Sequence, residues 1–308
     1  MSARLEQESS WIGVRGWTTR FAPAPTGYLH LGHVANAIWV WGAARAFGGR
    51  VLLRIEDHDR GRSRPEYERA LLEDLNWLGL APDLPLVRQS ECEELYRSAL
   101  ARLDERGLVY ACSCSRREIL GESDGGEELR YPGTCRARGL DPREVVMRRV
   151  RLEREEVLFE DLRLGHRAQV PAEQCGDLLA RDRGGNWTYQ FAVTVDDLEQ
   201  QVDVVIRGED LLPSTGRQIQ LARLLGRHEP ARFLHHPLIR HADGAKLSKS
   251  SGDTGIRELR ERGRTAEQAI GAAAQAIGLV ERWETLGVAD LADAVGRELT
   301  RSGPGHGA

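Results

Sequence analysis

Hydrophobic positions along this chain fall into short continuous runs and helical spacings in turn, the mark of strands alternating with helices. Phe21 and its neighbours read as a short strand, and the Pro/Gly run after them as a tight loop. Ala35, Ile38, Trp39, Val40 and Trp41 then give one face of an amphipathic helix. Val51 to Ile55 is a near-continuous apolar run, as a strand buried on both faces requires. Ser63-Arg64-Pro65-Glu66 is a capping box with proline in the first turn, predicting a helix to Gly79. A second box, Ser90 with Glu93, opens an amphipathic helix with Cys92 on its core side. Val202 to Ile206 predicts another strand, Ser214 to about Leu225 a helix, and Phe233 to Ile239 a segment leading into a lysine-bearing loop. Asp196-Asp197 reads as a turn in preference to a metal site. Thr265 with Gln268 caps an alanine-rich helix toward Gly278, and a last helix covers Trp283 to Leu299 before a frayed tail.

Such alternation implies an α/β fold with a parallel sheet and ligands at the carboxyl ends of its strands. Arg20, Glu56 and Arg207 sit at or near predicted strand ends. At roughly 150 residues per domain, 308 residues make about two domains.

Composition narrows this only a little. The chain is 41% hydrophobic and 29% charged, enough for a large core and too balanced for disorder. A net charge of −4 argues against a strongly basic nucleic-acid binder, although a local arginine patch suffices for phosphate contacts. No apolar run approaches a membrane span, and no signal-peptide stretch follows Arg4, Glu6 and Glu8. A cytoplasmic protein, outside any membrane and monomeric, is expected.

Of 43 basic side chains, 41 are arginine; the two lysines, Lys246 and Lys249, share one pentapeptide, Lys246-Leu247-Ser248-Lys249-Ser250. Where arginine serves everywhere else, a compact mobile ammonium kept at one place marks chemistry. Far upstream, Thr19 to His33 spells TRFAPAPTGYLHLGH. His30 and His33 at the mouth of a helix suit an anion site, where N–H groups and the positive end of the dipole face a ligand. Gly32 between them lets a flat base or ribose lie against the backbone. Both histidines can donate to charge that builds on a phosphate.

Five cysteines without a secretion signal argue for reduced thiols. Cys112-Ser113-Cys114 and Cys135 bring three thiols together, one short of a tetrahedral zinc site. The Glu122–Gly126 segment between them reads as a flexible loop, and Cys175 as a stray.

HLGH with KLSKS resembles the two signatures of class I aminoacyl-tRNA synthetases. Arg20 to His33, Leu53-Arg54-Ile55-Glu56-Asp57 and Val204 to Asp210 (VVIRGED) resemble the glutamyl-tRNA synthetase branch, the likeness running from about Thr18 to about Ser251. Only 58 residues follow Ser250, too few for that branch's anticodon-binding module. The chain is therefore similar to the truncated paralogues that glutamylate queuosine in tRNA(Asp). The resemblance implies a Rossmann-type parallel sheet with a small zinc-containing insertion and a short C-terminal helical region. The expected layout is 1–105 and 171–245 for the two halves of the catalytic domain, 106–170 for the insertion, and 246–308 for the KLSKS loop and C-terminal helices.

It also implies roles. Glutamate carries two carboxylates and an ammonium, which Arg20, Arg207 and Glu56 would take, with Tyr189 and the Phe21, Ala22, Pro23, Ala24 stretch lining the substrate. ATP, with Mg, would lie on His30, Gly32, His33 and the loop Lys246, Leu247, Ser248, Lys249, Ser250. His30, His33 and Lys249 would stabilise the phosphate; Gly244, Ser251 and Gly252 would let that loop close. Tyr131 would complete the zinc set, with a water or nearby histidine as substitute. Asp57 and Asp210 are candidates for positioning ribose or neighbouring loops. Arg60, Arg62 and Arg64 suit phosphate contacts or a solvated charged loop. Competing readings are a small glutamyl-tRNA synthetase charging the tRNA 3′ end, a general nucleotidyltransferase, and a non-catalytic tRNA-binding paralogue.

Overall fold

The structure, a computed structural model, describes residues 16–59, 61–121, 128–239, 255–282 and 284–302. In chain order the elements are β1 (Thr18–Phe21), α1 (Leu31–Phe47), β2 (Arg50–Ile55), α2 (Pro65–Leu78), β3 (Val87–Arg88) and α3 (Glu93–Glu105). Then come β4 (Val109–Ala111), α4 (Arg116–Gly121), β5 (Arg148–Val150), β6 (Val157–Asp161), β7 (Gly165–Gln169), α5 (Pro171–Gln174) and β8 (Leu178–Arg181). The rest is α6 (Tyr189–Glu199), β9 (Val204–Gly208), α7 (Thr215–Leu224), β10 (Arg232–His236), α8 (Ile256–Glu261), α9 (Ala266–Ala276) and α10 (Leu291–Ser302).

β1, β2 and β3 form a parallel sheet. β6, β10 and β9 form a second, with β7 added antiparallel at its edge. Asp203, one residue before β9, joins the two: its N–H donates to Thr18 O at 2.9 Å, and its carboxylate accepts from Thr18 N at 2.8 Å. β4, β5 and β8 make a separate antiparallel sheet that carries the cysteine-rich segment. The class expected from the sequence, parallel strands alternating with helices, is the one found.

α1 departs from its expected amphipathic character. Its residues from Val34 to Ala44 are buried apart from Asn36, because the sheet covers one side and the C-terminal helices the other. Gly42 permits the second contact: a Cβ there would lie 2.5 Å from Val295 and 2.8 Å from the Leu291 carbonyl of α10. A helix buried all round reads as apolar on every face.

Two predicted capping boxes do not form. α2 starts at Pro65 with Arg64 as N-cap and no side-chain bond, and the Ser63 hydroxyl is buried without a partner. α3 starts at Glu93 after a 3₁₀ turn, its first carboxylate drawn to Trp187 Nε1 at 2.8 Å and to Arg97. The Thr265–Gln268 box does form. The last helix begins at Leu291, later than the spacing predicts, after a 3₁₀ turn at Val288–Asp290. Among the described residues, no helix is long and apolar enough to cross a membrane.

Candidate active site and metal centre

A cleft of about 490 Å3 opens at the carboxyl ends of β1, β2, β9 and β10. Arg20, Ala22, His30, Gly32, His33, Glu56, Tyr189, Arg207 and Asp210 line it, with Asn36, His236 and Leu238. Of the residues expected around an amino acid, Phe21 is elsewhere: its ring packs on Trp41 in the core at 5.3 Å. Pro23 serves through its carbonyl, which accepts from Glu56 N at 3.0 Å, while Ala24 O closes a turn to Thr26.

The two histidines cap their own helix. His30 Nδ1 accepts from Gly32 N at 3.0 Å, and His33 Nδ1 accepts from His30 N at 3.1 Å. The His33 and Val34 N–H groups turn back to the His30 carbonyl. The Gly32, His33 and Val34 amides, expected to face a ligand, are therefore taken within the turn. With Nδ1 accepting, each neutral ring carries its proton on Nε2. Gly32 makes this possible, since a Cβ would sit 2.8 Å from His30 Cε1.

Behind the cleft lies a buried ion network. Arg54 is fully buried in β2 and reaches Asp197 at 2.7 Å, Gln200 at 2.9 Å and Glu56 at 3.3 Å, with Asp196 at 3.8 Å. Arg20 donates through Nε to Asp197 at 3.0 Å and through Nη1 to Ile206 O at 3.3 Å. Asp196 also accepts from Gln89 and Tyr96. Asp196-Asp197 is thus no turn; both sit inside α6, where buried arginines demanded anions. Burial raises the Glu56 pKa against the pull of Arg54 and Arg20. Burial works the same way on Asp197, but Arg20 and Arg54 outweigh it and hold that pKa low. Burial raises the Tyr189 phenol and brings Arg207 down to about 10.

Arg207, 3% exposed, is no surface residue of a strand end. It donates to Gln218 Oε1 at 2.6 Å, Thr215 Oγ1 at 2.9 Å and His235 Nε2 at 3.0 Å. Asp57 accepts from Ser90 N at 2.8 Å. Arg62 pairs with Asp59 at 2.6 Å, and Arg64 reaches carbonyls of its own loop, in line with a solvated loop. Arg60, Gly244, the Lys246–Ser250 pentapeptide, Ser251 and Gly252 lie outside the described residues.

Beyond β4 of the antiparallel sheet, the sulfurs of Cys112, Cys114 and Cys135 lie within 4.8 Å of one another. Tyr131 Oη is 3.5 Å from Cys112 Sγ and 3.9 Å from Cys114 Sγ, and accepts from Cys135 N at 2.8 Å. Arg149 lies over the Tyr131 ring at 3.6 Å and donates to Cys112 Sγ at 3.3 Å. Burial raises Cys114 to about 11. At Cys135 the same burial is outweighed by donors from Ser113, Cys114 and Tyr131, which bring it to about 7. Three convergent thiols, an adjacent phenol and a neighbouring cation fit a metal ion such as zinc.

The model of tRNA synthetases class I (E and Q), catalytic domain, matches residues 17–276. The chain belongs to this family. A "Glutamyl-Q tRNA(Asp) synthetase" of Rhodobacter capsulatus is 42% identical over 265 residues, 80% of this chain and 95% of the relative. One from Symbiobacterium thermophilum is 43% identical over 288 residues, 86% and 88% of the two chains. Among solved structures, a glutamate tRNA ligase of Elizabethkingia meningosepticum in complex with its amino acid aligns with a TM-score of 0.73 at 26% identity. That alignment covers 90% of this chain and 64% of the other.

For this class I synthetase chain, the sequence reading missed Arg54, Asp197, His235 and His236. One signal was available: an arginine within an apolar strand must find anions, and the acidic pair in a helix-length segment offers them.

Proposed function

We propose that this chain activates L-glutamate with ATP and transfers the glutamyl group to the cyclopentenediol of queuosine in the anticodon of tRNA(Asp). The observation that carries the acceptor is the likeness, at 42–43% identity over most of both chains, to relatives named for that tRNA. The amino-acid half is supported by a cleft that offers two arginines, a carboxylate and a tyrosine together.

In this reading, Arg207 and Arg20 take the two substrate carboxylates, and Glu56 takes the ammonium. Arg20 offers Nη2, since Nε and Nη1 are engaged by Asp197 and Ile206. Tyr189, at the start of α6, walls the substrate side chain. The α-carboxylate attacks the α-phosphate of ATP, forming glutamyl-adenylate and releasing pyrophosphate. No protein nucleophile is required. Negative charge growing on the phosphate oxygens meets Nε2–H of His30 and His33 and the ammonium of Lys249, so catalysis is positioning plus electrostatics. Magnesium accompanies ATP as the pyrophosphate counterion. A zinc ion held by Cys112, Cys114, Cys135 and Tyr131 would supply structure, tying the cysteine segment to its sheet.

The test is transfer of labelled glutamate to two tRNA pools, one from cells that make queuosine and one from cells that do not. Label on the queuosine-containing pool alone is expected. Equal label on both pools would replace this reading with charging of the tRNA 3′ end.

A further inference from the structure

Arg207 is held from behind by polar groups that the chemistry above leaves without a task. Asp161, at the end of β6, and His235, in β10, are both fully buried. One oxygen of Asp161 accepts from Arg163 N at 3.1 Å and Leu164 N at 2.8 Å. The other accepts from His235 N at 3.1 Å and lies 2.6 Å from His235 Nδ1. A carboxylate flanked by so many donors is the acceptor in that contact, so Nδ1 carries the imidazole proton. Nε2 then presents its lone pair, 3.0 Å from Arg207 Nε. A protonated Nε2 would set one N–H against another.

We infer that Asp161 and His235 form a positioning pair for Arg207, fixing the guanidinium through a neutral acceptor so that its charge stays available to a substrate carboxylate. The contrast with Arg20 supports this. Arg20 is anchored by a carboxylate, Asp197, which it shares with Arg54 and which offsets part of its charge. Arg207 is anchored by an imidazole, a hydroxyl and an amide, and makes no ion pair with a carboxylate among the described residues. An anion placed directly behind it would hold it as firmly but would weaken its attraction for the ligand. Asp161 acts from one ring further away, orienting the imidazole without touching the guanidinium. The inference rests on the reading of Arg207 as a carboxylate-binding residue.

Asparagine and glutamine at position 235 separate positioning from mere filling of space. The asparagine amide reaches the place of Nδ1, and that of glutamine the place of Nε2. Glutamate-dependent pyrophosphate exchange is measured on purified full-length chains with tRNA present. His235→Asn should raise the KM for glutamate about tenfold or more, as expected for loss of a hydrogen bond to a charged group. His235→Gln should restore most of that loss, and the KM for ATP should stay within about twofold in both. Equal effects of the two variants, or equal shifts in both KM values, would overturn the inference. Nitrogen-15 shifts of His235 in the unaltered protein give a second readout independent of how the variants fold. An Nδ1–H tautomer at neutral pH is expected; an Nε2–H tautomer or an imidazolium overturns the pair. A wild-type chain that fails to activate glutamate at all, with the Nδ1–H tautomer present, overturns instead the substrate reading on which the inference depends.

Discussion

Arg20 and Arg54 meet on one oxygen of Asp197, Nε at 3.0 Å and Nη1 at 2.7 Å. One arginine lines the cleft and the other is sealed in the core, so Asp197 ties the substrate wall to β2. Arg54 also serves Glu56 and lies near Asp196. Arg54→Met would leave three buried carboxylates without the arginine they share, Asp197 keeping its pair with Arg20. Breaking a buried pair from one side costs about 3–5 kcal/mol, and the urea midpoint should fall accordingly. A loss below about 1 kcal/mol would mean that water or protonation already serves these acids.

Gly32→Ala should separate catalysis from stability. Its Cβ would push His30 Cε1 from 2.8 Å, moving the ring without touching the core. The exchange rate should fall by about tenfold or more, as for loss of one positioned donor. The melting temperature should move by no more than about 2 °C, since alanine favours the helix that the displaced cap weakens. A variant that keeps its rate would remove His30 from the phosphate.

The parallel-sheet class, the cleft-lining Arg20, Glu56, Tyr189 and Arg207, and the three-cysteine cluster were legible because each is written in contiguous motifs. Three features were not. The Ser63 and Ser90 boxes have the right residues, yet Pro65 and the pull of Trp187 on Glu93 decide where those helices begin. Asp196-Asp197 resembles a turn locally, and only partners 100 or more residues away explain an acidic pair inside a helix. The Asp161–His235–Arg207 array spans 74 positions, and neither β6 nor β10 carries a motif that announces it. Proline geometry or tertiary partners, and not local pattern, decided each case.

Purified protein should carry about one zinc per chain. Chelation should lower the melting temperature, because the metal's binding energy is also folding energy for its segment. Cys135→Ser should lose the metal. Tyr131→Phe tests the fourth donor: weaker binding by at least about tenfold assigns the phenolic oxygen, whereas unchanged affinity leaves a water or a histidine in that place.

Acid should destabilise the fold through His236. This residue is 3% exposed and hydrogen-bonds to Pro237 O and Asn36. Burial lowers its pKa from 6.5 to about 4. The unfolded chain therefore binds a proton first as pH falls. The contribution is fully present above pH 6.5 and is lost progressively down to about pH 4, reaching about 3 kcal/mol. Glu56 and Asp196, whose pKa values burial raises, act with the opposite sign. The total profile mixes these effects, and the informative quantity is the difference between wild type and His236→Gln. Urea midpoints measured from pH 7.5 to 4 should converge as the pH drops, because His235 is common to both chains and only the wild type carries the buried His236 imidazole. Parallel profiles would place that proton uptake on another group.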